Sequence, residues 1–394
     1  MILFKKFVLT HTKTEYTKPA NILMVYENNK AIETSIIYDD EETDLNNIYV
    51  GHVKDVVKNI ECAFVEYSQG KIGYLSLKEC KNVIFVNPKN TNKICEGDNI
   101  IVQLIKEPIK TKYGVLSTTL TLPGKYVVFE SGSGRVNISN KIKDINFKEE
   151  VTEILKPLTN TCSLIVRTDA FSVPLETIYN EANFLLELYS GLIQSGKFRT
   201  AYSRLYKAMD ANLNLIKDLY EPDDEIVSDS SELLSLCDNT LKPYFSTVNT
   251  RLYQDKLLPL YKLYSFESIF KEISSTNVWL KSGAYIVIEY TEAMTVVDVN
   301  TGKYDKGKNS EATFYKINVE AAKEIFRQLR LRNISGIIVC DFINMLSDED
   351  DYKLIGELLG LANKDRLKVN VLGMTKLKLV ELTRKKVRER IFLK

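Results

Sequence analysis

Histidine is nearly missing from this chain, and neither sign of charge is in excess. The 394 residues hold two histidines, one tryptophan, and 53 Lys and Arg against 52 Asp and Glu, a formal net charge of +1. His11 and His52 stand outside any motif, which leaves little for an imidazole acid–base pair and points instead to metal chemistry. The six cysteines (Cys62, Cys80, Cys95, Cys162, Cys237, Cys340) form no C-x-x-C pair, and several lie inside apolar runs where a reduced thiol acts as a small hydrophobe. That argues against a disulfide-stapled scaffold and for a reducing, cytoplasmic setting. The opening MILFKKFVLT is interrupted by Lys5 and Lys6 and has no small-residue cleavage site, so it does not read as a signal peptide. No apolar run is long enough to span a bilayer. With almost no net charge, a partner of polyanions has to gather its cations locally.

The length suffices for two or three domains, and the most informative stretch is Thr291–Asp341. Asp298 closes one apolar strand in TEAMTVVDVNTGK, and Asn300, two residues on, points to the same face. Asp341 closes a second apolar strand, SGIIVCDFINM, about forty residues later. Between them lie a Lys/Gly loop (Thr301–Lys308) and a helical stretch over 313–332, a strand–helix–strand unit that favours parallel strands. Open α/β sheets place ligands at the C-terminal edge of such strands. Two carboxylates and an amide there, with Lys303, Lys306 and Lys308 alongside, suit Mg²⁺ and a phosphodiester. The bland alternative is a pair of polar strand ends.

TEAMTVVDVNTGK, INVEAAKEIFRQLRLRNISG and IIVCDFINM together resemble the catalytic core of the ribonuclease E/G family of endoribonucleases. The resemblance implies that Asp298 and Asp341 hold a catalytic magnesium ion, with Asn300 beside them. It also implies hydrolysis of single-stranded, A/U-rich RNA that leaves a 5′-phosphate on the downstream product, in the processing of rRNA or the decay of mRNA.

Upstream, NILMVYENNKAIETSIIY reads as a hairpin around Glu-Asn-Asn-Lys. From Ile48, five short strands (IYVGHVKDVV, CAFVEY, GKIGYLSL, NIIVQLIKE, GVLSTTLTL) suit an OB-type barrel, and GHVKDVVKNIECAFVEYSQGKIGYLSL resembles an S1 RNA-binding domain. The resemblance puts Phe64 and Tyr74 at base-stacking positions and Lys112 at a basic one. The competing reading has Phe64 in the core, alternating with Cys62. A third β-rich stretch, 123–169, resembles the family's 5′-monophosphate pocket through Gly124, Val128, Arg167 and Thr168, with Lys376 aligned to a distant arginine. Asp169 sets a negative charge where the family has a small residue, and lysine cannot make a planar bidentate clamp. Residues 175–278 read as largely helical, with EPDDEIVSDSSE as an exposed loop and Ser230 or Ser231 capping the next helix. Trp279 reads as a packing residue at the junction to the last segment.

The expected architecture is a multidomain α+β chain. Residues 1–38 begin an RNase H-like scaffold subdomain that 206–278 complete; 39–120 form an inserted S1 barrel, 121–205 a mixed 5′-sensor region, and 279–394 an α/β DNase I-like catalytic subdomain. Cations cluster on the helix at Lys323, Arg327, Arg330 and Arg332, and at the C-terminus from Lys376 through Lys378, Arg384, Lys385, Lys386, Arg388 and Arg390 to Lys394. Each cluster, taken alone, reads as a solvated face. The chain lacks the Cys-Pro-x-Cys zinc link and so resembles the shorter, ribonuclease G-like form. That puts a zinc-joined tetramer in doubt and leaves a homodimer as a possible assembly. A non-catalytic S1-type RNA-binding protein on a nuclease-like scaffold is the alternative, and a nuclease acting on DNA a third reading; the presence of Asp298, Asn300 and Asp341 argues against the non-catalytic one.

Overall fold

In the computed structural model, Asn28 and Asn29 turn the chain with φ of 50° and 59°. A two-residue loop of the type I′ kind needs this left-handed pair, and asparagine tolerates it. The flanking strands, Ala20–Glu27 and Lys30–Tyr38, pair antiparallel as the sequence suggests. The structure describes residues 4–41, 43–80, 82–108, 112–132, 134–302, 310–388 and 390–391, without the side chains of 310–312. Lys303, Lys306, Lys308 and Lys394 lie outside the described residues.

The mixed α+β chain forms two compact units. The first comprises Met1–Asp40, Ala211–Thr240 and Thr247–Lys394, and the second Glu41–Asp210 with Leu241–Ser246. Among the described residues no helix is long and apolar enough to cross a membrane.

The first unit contains two sheets. One is five-stranded, in the order Thr250–Leu252, Glu225–Ser228, Lys5–Thr12, Ala20–Glu27, Lys30–Tyr38. Its middle strand is the opening stretch, considered above only as a leader; Phe7 and Val8 are fully buried. EPDDEIVSDSSE is not an exposed loop. Ile226 and Val227 inside it are buried and pair in parallel with Phe7 and Val8. The preceding Asp224 accepts a hydrogen bond from the Lys5 amide at 2.7 Å and pairs with its ammonium at 3.3 Å. Two apolar residues thus suffice for a strand because the acid beside them has a partner far away in sequence. Ser230 caps the following helix, accepting from the Leu233 amide at 3.2 Å. The region read as largely helical therefore also contributes strands at Arg204–Tyr206, Glu225–Ser228, Thr250–Leu252 and Asn277–Trp279.

The other sheet is six-stranded, in the order Asn277–Trp279, Tyr285–Tyr290, Met294–Asn300, Gly336–Asp341, Leu379–Arg384, Val369–Met374. Its inner face, with Ile286, Val297, Ile338, Cys340, Val380 and Leu382, packs against the helices Ser310–Leu331 and Asp348–Lys364 through Ile325, Phe326, Leu354 and Leu358. Both helices share that core, which leaves the outer face of the sheet uncovered by them.

In the second unit, Ile48–Val57, Cys62–Ser68, Lys71–Ser76, Gly114–Ser117 and Asn99–Lys106 form a barrel, closed by pairing of its first and last strands. The last expected strand stops at Ser117, whose hydroxyl accepts from the Thr119 amide and bends the chain. Thr121–Pro123 then joins a separate four-stranded sheet with Val127–Ser131, Cys162–Val166 and Val136–Ile138. The helix Leu175–Gly196 packs on that sheet through Ile178, Ala182 and Leu185.

Candidate active site

Met294–Asn300 and Gly336–Asp341 run parallel, and their register sets Asp298 directly opposite Asp341. Neighbouring strands lie ~4.8 Å apart, so the two carboxylates stand side by side. Strand alternation decides the face. Thr295, Val297 and Val299 turn into the core, as do Ile338 and Cys340, whereas Asp298 and Asp341 are exposed on the other side. Burial pushes the neighbouring Cys340 thiol up to about 12, so it stays a neutral hydrophobe. The Asn300 amide donates to Asp298 Oδ2 at 2.6 Å, fixing that carboxylate from one side.

Two further groups hold this edge. Asn318, fully buried on the long helix, donates to the Ile343 carbonyl at 2.8 Å and accepts from its amide at 3.0 Å, clamping the chain just beyond Asp341. Gly302 follows Asn300 with φ +62°, and an added Cβ would meet the Gly283 carbonyl oxygen at 2.3 Å, so only glycine lets the chain leave the strand there. Sequence reasoning missed Asn318, although a lone amide in the stripe INVEAAKEI is a readable signal.

The donor set is hard oxygen: two carboxylates and an amide on an open face. No group of three or more His, Cys, Asp or Glu that could hold a metal occurs among the described residues. The hard-oxygen pair itself suits a divalent cation that keeps several waters and takes one or two carboxylates plus substrate phosphate.

The expected helix cation cluster does not face solvent. Arg327 donates to Glu324 at 2.9 Å, to the Ala31 carbonyl at 2.7 Å, and to Glu272. Arg332 donates to Gln328 at 2.6 Å and to the Glu272 carbonyl at 3.0 Å, and burial pulls the Arg330 guanidinium below its ordinary range. Only Lys323 of that cluster is exposed. The C-terminal cluster is divided too. Arg384, 2% exposed, forms a two-pronged pair with Asp365 and donates to the Ile334 carbonyl. Lys378 is held by Asp351 at 3.0 Å, Arg388 donates to Ser35 at 2.8 Å, and Arg390 lies over the Tyr290 ring at 3.4 Å. Lys376, Lys385 and Lys386 remain exposed. Folding thus ties Arg327, Arg332, Lys378, Arg384, Arg388 and Arg390 to partners, most of them far away in sequence.

On the barrel, Phe64 and Tyr74 are cross-strand neighbours with ring centroids 6.4 Å apart. Phe64 is half-buried and faces outward, between the buried Ala63 and Val65, so it is not a core residue. Tyr113 completes the group: it is 54% exposed and meets Phe64 edge-on at 5.3 Å, beside the exposed Lys112. Tyr113 was not anticipated, although it adjoins Lys112 in sequence.

In the four-stranded sheet, Arg167 donates to the Gly124 carbonyl at 2.9 Å, and Thr168 shares a hydrogen bond with Ser139 at 2.9 Å. Val128 is half-buried, and Asp169 is exposed beside Thr168. Glu181, 4% exposed on the helix Leu175–Gly196, accepts the amides of Lys125, Tyr126 and Val127, each at 2.7 Å. A Cβ on Gly124 would strike the Glu181 carboxylate at 2.6 Å, so glycine is required for this turn to close on its anchor. Lys376 belongs to the first unit, whereas Gly124, Val128, Arg167 and Thr168 belong to the second. Trp279, expected to pack, is 64% exposed.

Residues 121–387 match the sequence profile of the Ribonuclease E/G family. The chain is 31% identical to Ribonuclease G of Haemophilus influenzae over 362 residues, 88% of this chain and 73% of that protein. It is 32% identical to Putative ribonuclease E of Buchnera aphidicola subsp. Baizongia pistaciae over 365 residues, 88% and 87% of the two chains. Ribonuclease E of Nostoc sp. is likewise 32% identical, over 88% of this chain and 52% of its own length. The matched segment contains both carboxylate strands and the helix between them, and the chain belongs to the ribonuclease E/G family.

Proposed function

We propose that this endoribonuclease hydrolyses single-stranded RNA at the Asp298–Asp341 edge with the help of Mg²⁺. The observation that carries the proposal is the parallel register setting Asp298 opposite Asp341, on the sheet face away from the two packed helices. Asp298 and Asp341 would hold the ion. When bound there, it supplies Lewis-acid polarisation of a phosphoryl oxygen and a water activated for attack. Asn300 keeps Asp298 oriented, and Asn318 fixes the segment after Asp341. On the barrel, Phe64, Tyr74 and Tyr113 offer stacking surfaces and Lys112 a cation for the backbone, the pairing that sequence-tolerant single-strand binding uses. Arg167, held by the Gly124 carbonyl, and the Thr168 hydroxyl bring a guanidinium and a hydroxyl to a corner for a terminal phosphate, weakened by Asp169, so the preference for a 5′-monophosphate is modest.

In subdomain terms, 1–38 with 206–278 are the RNase H-like scaffold, 39–120 the S1 module, 121–205 the 5′-sensor region and 279–394 the DNase I-like catalytic part. The substrates are mRNA or rRNA precursors in the cytoplasm. The test is incubation with end-labelled single-stranded RNA in Mg²⁺ or EDTA, with mapping of the product ends. Metal-dependent internal cuts leaving 5′-phosphates are expected. RNA binding without cutting would favour the non-catalytic reading.

A further inference from the structure

Three strands of the six-stranded sheet place Trp279, Tyr285 and Asn300 in one cross-strand row: Trp279 is opposite Tyr285, and Tyr285 is opposite Asn300. The alternate residues, Val278, Ile286 and Val299, are all buried, so the row itself lies on the outer face that carries Asp298 and Asp341. Strand spacing sets Trp279 about 10 Å from the backbone of Asn300, on the strand that carries Asp298, with Asp341 one strand further on. The two rings touch at 5.0 Å between centroids with a 48° tilt. Trp279 is nevertheless 64% exposed, whereas the Phe266–Phe270 pair of the same unit is fully buried. A tryptophan propped on a tyrosine, on the sheet face that carries the carboxylates, has an indole face to offer for stacking. The barrel offers the same device, an exposed tyrosine against a phenylalanine beside a lysine.

We infer that Trp279, supported by Tyr285, is a stacking platform for the base of the nucleotide next to the scissile phosphate, and so helps decide where the RNA is cut. The inference rests on the proposed role of the Asp298–Asp341 edge. Its occupant is an unpaired RNA base rather than a protein segment, because the platform shares its sheet face with the carboxylates and every base has a π-face to present.

Trp279 is the sole tryptophan, so its emission reports the platform directly. The Asp298→Asn protein, in Mg²⁺, is titrated with a short A/U-rich single-stranded oligoribonucleotide, exciting at the red edge of indole absorption and following anisotropy of a label on the RNA. Quenching should saturate together with the anisotropy, and a duplex of the same sequence should not produce it. In parallel, Trp279→Ala in the otherwise unchanged enzyme should raise KM about tenfold and shift the preferred cut sites, and Trp279→Phe should restore both. Tyr285→Ala serves as a second variant should Trp279→Ala fail to fold, with a smaller change in the same direction. Binding without quenching, or an unchanged KM and cut pattern in Trp279→Ala, overturns the platform. If Asp298→Asn still cleaves while the quench is seen, the platform stands and the carboxylate assignment falls.

Discussion

The six-stranded sheet of the first unit and the barrel of the second both present their candidate RNA-contacting side chains on outward strand faces, but to different tolerances. In the sheet, Asp298, Asn300 and Asp341 are fixed by parallel register, an amide–carboxylate bond and the Asn318 clamp. In the barrel, Phe64, Tyr74 and Tyr113 meet edge to face, and Tyr113 lies outside the strands. A one-residue slip of either strand would send its carboxylate to the core side and end the chemistry. The barrel could shift by tenths of an ångström and still stack a base. Positioning a metal demands register, whereas holding a strand demands area and charge.

That contrast predicts separable defects. The largest effect is expected at the carboxylates: Asp298→Asn or Asp341→Asn should lower single-turnover cleavage by about a thousandfold or more, because one of two charged ligands is lost. RNA affinity, measured by anisotropy, should stay near wild type. Next is Arg384→Ala. If the C-terminal cations served RNA, this variant would bind weakly and remain stable. Its pairing with Asp365, both within 4% exposure, instead predicts a loss of roughly 3–5 kcal/mol in unfolding free energy, read by denaturant titration. The salt dependence of RNA binding should not move. Phe64→Ala should weaken RNA binding by about 1–3 kcal/mol with little change in melting temperature. A lowered melting temperature with intact binding would return Phe64 to the core. Lys112→Ala is smaller still and should reduce the slope of log affinity against log salt by about 0.7, the value for one phosphate on a single strand. The smallest effect concerns the 5′ end. The kcat/KM ratio for 5′-monophosphate over 5′-hydroxyl RNA should be modestly above one, fall to one in Arg167→Ala and rise in Asp169→Ala. A ratio that Arg167→Ala does not change would remove the 5′ pocket from the account.

The sequence carried the carboxylate edge well because period-two alternation and the strand–helix–strand order are local patterns. Asp298 and Asn300 on one face and a parallel partner ending at Asp341 follow from those patterns, and the structure has them. What it carried poorly depends on partners far away in the chain. Arg327 and Arg332 looked like a solvated stripe until Glu272 arrived from another helix, and Arg384 looked like a surface cation until Asp365 met it. The strand Glu225–Ser228 was hidden in an acidic run for the same reason, because Asp224 is neutralised by Lys5. Glu181 sits in an apolar helical stripe and gives no local sign that three backbone amides wait for it.

The separation of chemistry from grip is tested most directly by measuring, side by side, RNA affinity and single-turnover cleavage rate for wild type, Asp298→Asn, Phe64→Ala and the double variant. A crossed pattern is predicted: Asp298→Asn binds normally and does not cut, Phe64→Ala binds weakly yet cuts at near wild-type rate once saturated, and the double variant shows both defects additively. An Asp298→Asn protein that cuts normally, or a Phe64→Ala protein that cannot cut at saturation, would contradict it.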